Sequence, residues 1–318
     1  MNNIKPIVSV VMSVFNVDMY LEKSIKSILN QSLENFEFII INDCSNDKSL
    51  EIIKKYQNSD DRIILLNNER NLGLPKSLNN GLEIARGKYI ARQDADDISL
   101  KERLLIQYQF LEKHQDIFLI GSSAIIINEK EIPIKISKTE TNPNRIGKLL
   151  KNSSCIYHPT IMFRNEQKYY RDKFEYSQDY DLYLRLITEG KRITNIKPVL
   201  VKRRKLIKTP QLNKEIQQAM FADKAKEFYH QRIAQQNDDY DLFEPKDIKS
   251  FDFKNHQNDK YVLNVLIINS FSKRDMVYCR KYIKRYFRYY KPNLHKIMLY
   301  LLSYLPTKLI NLINKFSF

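Results

Sequence analysis

Gly87-Lys88-Tyr89-Ile90-Ala91-Arg92-Gln93-Asp94-Ala95-Asp96-Asp97 leads from a glycine through a short apolar strand into a knot of carboxylates. Carboxylates this close in sequence repel one another unless a cation joins them. Oxygen-only ligands favour a hard divalent ion such as Mg2+ or Mn2+, which commonly shares its shell with substrate phosphates. An Asp-x-Asp alone is a weak signal, and its place at a strand end gives it meaning. Upstream, Val8 to Val14 is β-rich, and Asp18 to Leu29 carries Leu21, Ile25, Ile28 and Leu29 at helical spacing. The alternation continues with a buried strand from Phe36 to Ile41, a helix from Leu50 to Tyr56 and a strand from Arg62 to Leu66. A helix from Pro75 to Ala85 follows, opened by proline and closed by Gly87. Short apolar strands alternating with amphipathic helices imply a parallel sheet with helices on both faces, because parallel strands need crossover connections. Ligands of such sheets bind beyond the carboxyl ends of the strands.

Those ends carry Phe15-Asn16, Asn42-Asp43, Asn71, and Asp94 with Asp96. Any one of them taken singly is best read as a turn former or helix cap. Four in succession along one edge, ending in paired acids, make a candidate binding crevice. Downstream, Ser99-Leu100-Lys101-Glu102 has the form of a capping box opening a helix that runs to His114. Ile117 to Ile127 and Glu131 to Ile136 read as a strand pair, Arg145 to Lys151 as a helix and Thr160 to Phe163 as a strand, so the sheet becomes mixed. Asp179 to Glu189 is a helix stopped by Gly190. After Pro210 the character changes to a polar helix from Asn213 to Gln236, an acidic joint to Asp259, and basic helices beyond Tyr261. The expected architecture is α/β, with a mixed, mainly parallel sheet flanked by helices over residues 1–209 and a helical basic extension over 210–318.

The chain of 318 residues is long enough to bury a full core. Its 53 Lys and Arg against 37 Asp and Glu leave +16, which favours anionic partners. The excess is concentrated at the end, since Asp275 is the sole acid from Lys273 to Phe318. Three dispersed cysteines, Cys44, Cys155 and Cys279, form neither a disulfide framework nor a zinc pattern, and a reducing cytoplasm is the expected location. The apolar runs are shorter than the roughly 20 residues of a spanning helix.

From Val8 to Gly121 the sequence resembles the nucleotide-binding half of family 2 glycosyltransferases, which have the GT-A fold. The resemblance is carried by Ser9-Val10-Val11-Met12-Ser13-Val14-Phe15-Asn16, Ser27 to Ser32, Phe36 through Asp47, Asn71-Leu72-Gly73-Leu74, and Gly87 through Asp97. His158-Pro159 and Ser177-Gln178-Asp179-Tyr180-Asp181-Leu182 resemble the acceptor-side half. The resemblance implies Phe15, Asn16, Asp43, Asn71 and Asp94 as nucleotide-binding residues, with Asp43 on the base and Asp94 on the ribose. It implies Asp96 with Asp94 at a Mn2+ or Mg2+ ion and Asp179 as catalytic base, in place of a plain helix cap. Gln178, Asn42 and Lys101 depart from the usual Glu, Asp and Pro. With Gln178 in place, Asp181 could share the work of the base.

The function so implied is a hexosyltransferase-type enzyme, inverting and metal-dependent. It would move a sugar from a nucleotide-diphosphate donor, UDP-linked, to a hydroxyl of a lipopolysaccharide or capsule glycan, free or lipid-linked. A sugar nucleotidyltransferase would need a glycine-rich phosphate loop that Val14-Phe15-Asn16-Val17-Asp18 lacks. A non-catalytic basic protein with a vestigial site, binding membrane or nucleic acid, is the third reading. Against nucleic acid stand the crevice acids, which repel a phosphate backbone. His158 reads equally as a ligand contact or a loop histidine. Arg203 and Arg204 in the run Lys202 to Lys205 could hold phosphate of the donor or of a lipid-linked acceptor, and the run reads first as a solvated strand end. In the basic tail, Pro306 to Phe318 keeps Leu309, Leu312, Ile313 and Phe316 on one helical face, expected to contact the inner face of an anionic cytoplasmic membrane.

Overall fold

A computed structural model of the protein describes residues 5–167, 169–205, 212–272 and 275–305. They form two compact units. The first holds the described residues up to 205 together with Phe221–Pro245, and the second holds residues 212–220 and those from Lys246 onward.

The first unit is built on a nine-stranded mixed sheet. β1 (Val8–Val14), β2 (Phe36–Asn42), β3 (Ile63–Asn67) and β4 (Tyr89–Arg92) are mutually parallel, linked by α1 (Asp18–Leu29), α2 (Ser49–Gln57) and α3 (Leu74–Ile84). β1 and β2 are buried almost throughout, which explains their continuous apolar runs. β1 lies centrally, with Val8 opposite both Phe36 and Tyr89. The ends of β2 and β4 therefore flank the end of β1, about 10 Å from each other at two strand spacings. Gly87 is demanded by this packing, because a Cβ there would lie 2.4 Å from the Ser9 backbone nitrogen. The helix before it ends at Ile84, capped by Ala85 and not by Gly87.

Beyond β4 come β5 (Ile98–Ser99), α4 (Arg103–Lys113), β6 (Ile117–Ile127), β7 (Pro133–Ser137), α5 (Pro143–Leu150), β8 (Met162–Arg164), α6 (Gln178–Thr188) and β9 (Arg192–Arg204). The strand order is β3-β2-β1-β4-β8-β6-β9-β5, with β7 on the far part of β6. β8 runs antiparallel to β4 and β6, and β9 runs parallel to β6. The capping box at Ser99 does not form. Ser99 is a strand residue opposite Val201, its hydroxyl donates to Gln93, and α4 begins four residues later with no side-chain cap. Strand pairing to β9 claims these residues before the helix can.

α7 (Leu212–Gln235) contributes its residues from Phe221 on to the first unit. There Phe221, Phe228, Tyr240 and Phe243 surround Phe174, and Asp238 pairs with Arg171 at 2.8 Å and with Arg232. Residues 221–245 thus pack with the first unit although they lie within the expected extension over 210–318. The second unit comprises α8 (Lys246–Lys249), α9 (Lys260–Ser272), α10 (Met276–Tyr289) and α11 (Leu294–Leu302) with the start of α7. Val262, Leu263, Leu266, Ile267, Ile283 and Tyr286 form its core. Among the described residues no helix is long and apolar enough to cross a membrane. The segment Pro306 to Phe318 lies outside them.

Candidate active site

Asp43 follows β2 directly and is buried. Its Oδ1 accepts from the Leu72 backbone N–H and the Asn68 amide, both at 2.8 Å, and its Oδ2 accepts from the Gly73 N–H at 3.0 Å. A carboxylate offers about four acceptor sites, so one remains for a ligand. Gly73 has φ +83, a conformation open to glycine, and it turns its N–H onto the acid as it caps α3. Asn71 reaches the Asp43 carbonyl at 3.4 Å, and these two residues thus stand together. Phe15 is half exposed beside Asn16, whose side chain accepts from the Asn46 N–H at 2.8 Å. Asn16, Cys44 and Ser177 all hold left-handed φ values of 50, 59 and 57. Backbone strain of this kind costs about 1–3 kcal/mol each and concentrates at functional sites. Asn16 and Cys44 directly follow Phe15 and Asp43, and Ser177 caps the helix that bears Asp179.

The acids after β4 converge. Carboxylate oxygens of Asp94, Asp96 and Asp97 lie within 4.8 Å of one another. Burial, then the charge of Asp94, raises the Asp96 carboxyl above its ordinary range, and burial with Asp94 and Asp96 raises Asp97 well above it. Asp97 Oδ2 is buried with no hydrogen-bond partner. An anionic cluster with an unpaired buried oxygen is a donor set that fits a hard divalent cation. Asp94 also pairs with Arg92, a buried arginine at the end of β4.

The loop bearing these acids is held from behind. Gln93 donates to the Asp94 and Asp97 carbonyls, each at 3.0 Å, and to Ser24 at 3.1 Å. Fully buried Arg103 donates to Gln93 Oε1 at 2.8 Å and to the Arg92 carbonyl at 2.6 Å, and burial beside Arg92 pushes its pKa down to about 9. Arg204, at the end of β9, donates its backbone N–H to Asp97 Oδ1 at 2.6 Å and its Nε to the Asp96 carbonyl at 2.9 Å. Its Nη1 bonds the Asn128 and Glu129 carbonyls, and its guanidinium stacks 4.2 Å over Tyr20. The reading of this arginine as a solvated strand end is corrected, because it is buried by contacts to carbonyls distant in sequence. Arg203 beside it is exposed and lies over Tyr157.

Asp179 occupies the first turn of α6. Loss of water around it raises its carboxyl above the ordinary range, Arg92 opposes the shift and Asp94 adds to it. The acid thus lies within electrostatic reach of the β4 cluster. Asp181 cannot share its work, being buried and paired with Arg185 at 3.0 Å and Arg171 at 3.6 Å. His158 is buried against the Tyr170 hydroxyl at 2.7 Å, and burial followed by Arg92 holds it well below its usual pKa, hence neutral. Arg92, Gln93, Asp97, Arg103 and Arg204 were missed as supports of the site. For Arg92 and Gln93 the signal was present, since charged and amide residues stood where a buried strand leaves the sheet.

Residues 9–172 match the sequence profile of Glycosyl transferase family 2. The chain belongs to that family. This family 2 glycosyltransferase is 42% identical over 206 residues to an uncharacterized glycosyltransferase of Methanocaldococcus jannaschii, covering 63% of this chain and 71% of that protein. It is 37% identical over 190 residues to the O-antigen biosynthesis glycosyltransferase WbnJ of Escherichia coli, covering 57% of this chain and 72% of WbnJ. The fold is shared with S. aureus TarS 1-349 solved in complex with UDP-GlcNAc, at a TM-score of 0.53 and 17% identity, over 87% of this chain and 81% of TarS 1-349. The mixed sheet with flanking helices is accordingly a GT-A fold, and the enzyme is a glycosyltransferase.

Proposed function

We propose that this glycosyltransferase is inverting and metal-dependent, uses a UDP-sugar, and extends a cell-surface glycan of the lipopolysaccharide or capsule type, carried on lipid at the inner face of the cytoplasmic membrane. The observation that carries the reading is the convergence of Asp94, Asp96 and Asp97 at the end of β4. Asp96 and Asp94 would hold Mg2+ or Mn2+, with Asp97 a third carboxylate at hand. The ion, when bound, neutralises charge on the departing nucleoside diphosphate.

The rest falls to the chain's own side chains. Asp43 and Asn71 fix the loop after β3 and receive the base, Phe15 and Asn16 line its approach, and Asp94 meets the ribose. Asp179 takes the proton of the acceptor hydroxyl as its oxygen attacks the anomeric carbon. The new glycosidic bond forms opposite the breaking bond to the diphosphate, so the configuration inverts and UDP leaves. The similarity to WbnJ, an O-antigen biosynthesis glycosyltransferase, supports a surface glycan, and the UDP-GlcNAc complex of TarS supports a UDP-sugar. The test is transfer from a panel of UDP-sugars with Mn2+ or with EDTA, and assignment of the product anomer by NMR. Transfer that persists in EDTA overturns the metal role, and a retained anomer overturns the single displacement.

A further inference from the structure

α11 is inside out. Its lysine, Lys296, is 4% exposed and faces inward with Leu299, its ammonium 5.8 Å from the Tyr286 ring. Leu294, Met298 and Leu301 are 83%, 47% and 63% exposed, and with Ile297 and Tyr304 they make one stripe at helical spacing. A helix that folds only against its own unit and water buries leucine and exposes lysine. The reverse arrangement, kept from Leu294 to Leu301, calls for an apolar partner outside the unit.

The flank of the stripe says which partner. From residue 275 to 305 there are seven Lys and Arg and a single acid, Asp275, which is spent capping α10. Lys281, Lys284 and Arg288 are exposed one turn apart along α10, and the guanidinium of Arg280 lies 4.8 Å over the ring of Tyr304. Arg280 therefore adjoins the apolar stripe at its C-terminal end, with Tyr304 at the junction, and Lys281, Lys284 and Arg288 continue the exposed positive charge along the same helix. In a two-fold dimer this face would meet itself, and a face whose single acid is Asp275 offers its own cations no counter-charge. An anionic bilayer satisfies both halves, taking the stripe among its acyl chains and the basic residues at its headgroups.

We propose that α11, flanked by the basic face of α10, is a membrane-surface docking element specific for anionic lipid. It lies in the second unit and does not depend on the assignment of donor or metal. The test is sedimentation of the full chain with vesicles of phosphatidylcholine alone or containing phosphatidylglycerol, at low and high salt. The intact protein is expected to bind the anionic vesicles at least ten-fold better than the neutral ones and to be released by salt. The variant Leu294→Ser/Met298→Ser/Leu301→Ser should lose at least ten-fold of that binding, and Lys281→Glu/Lys284→Glu/Arg288→Glu should lose it and its salt dependence. Both should keep the circular dichroism and the UDP binding of the intact protein, which separates failure of docking from failure of the enzyme reading. Unchanged vesicle binding by the serine variant would overturn the assignment to α11, as would a dimer in solution that this variant dissolves.

Discussion

At the scale of single residues, Asp179 shows how chemistry and stability oppose each other. A base must be ionised, yet desolvation raises this carboxyl above its ordinary range. The rate should therefore fall, as pH is lowered, at a pH above that of an ordinary aspartate. A folded-state pKa above the unfolded one contributes stability below the unfolded value, which is lost as pH rises through the folded value. Asp179→Asn should accordingly unfold at higher temperature than the parent at pH 7 to 8, and the gap should close below about pH 4. The same variant should lose about 10²–10⁴-fold in kcat while binding UDP unchanged. Paired melting curves and single-turnover rates check both, and a variant less stable at neutral pH would remove the argument. For Asp179 the helix start alone reads as a cap, and the role of base comes from the resemblance to the family. The exclusion of Asp181 was not legible, since Arg171 and Arg185 lie in separate elements and no pattern of local spacing announces that both meet one carboxylate.

At the scale of elements, the acidic loop is as well placed as its supports. Arg204 ties the Asp96 carbonyl to the turn at Asn128 and Glu129 and to Tyr20 of α1. Arg204→Met should weaken Mn2+-dependent UDP binding at least ten-fold and lower stability by about 1.5–3 kcal/mol, the worth of charge-assisted hydrogen bonds. Calorimetry and urea unfolding measure the two effects. Asp238 is the corresponding pin of residues 221–245. Burial raises its pKa, but hydrogen bonds from Arg171 and Arg232 outweigh it, and the net direction is down. Its contribution is present above the unfolded pKa and lost as pH falls through the lowered folded one. Asp238→Asn should cost about 3–5 kcal/mol at pH 7, and less in acid as the carboxyl becomes protonated in the parent. A cost independent of pH would contradict the ion cluster. The period of strand and helix made β1 to β4 readable. Of β9 only the end at Lys202 to Lys205 is read as strand, because Arg192, Lys197, Lys202, Arg203 and Arg204 give it the composition of a surface loop, and partners such as Asp97, more than 100 residues away, make it a strand.

At the scale of the whole molecule, charge and chemistry are segregated along the chain. The acids that fit a metal are in the first unit, whereas the second carries the basic α10 and the exposed stripe of α11. The sequence reads as basic helices beyond Tyr261 but does not say which stripe of α11 faces the core, because that depends on where Tyr286 and Leu299 find room. The central claim rests on the first unit. The most direct measurement is a calorimetric titration of the purified protein with UDP, with and without Mn2+, repeated with Asp96→Ala and Asp43→Ala. The account predicts binding that requires Mn2+, is lost in Asp96→Ala at unchanged thermal stability, and is weakened at least ten-fold in Asp43→Ala. UDP binding of equal strength without the metal, or undiminished in Asp96→Ala, would contradict it.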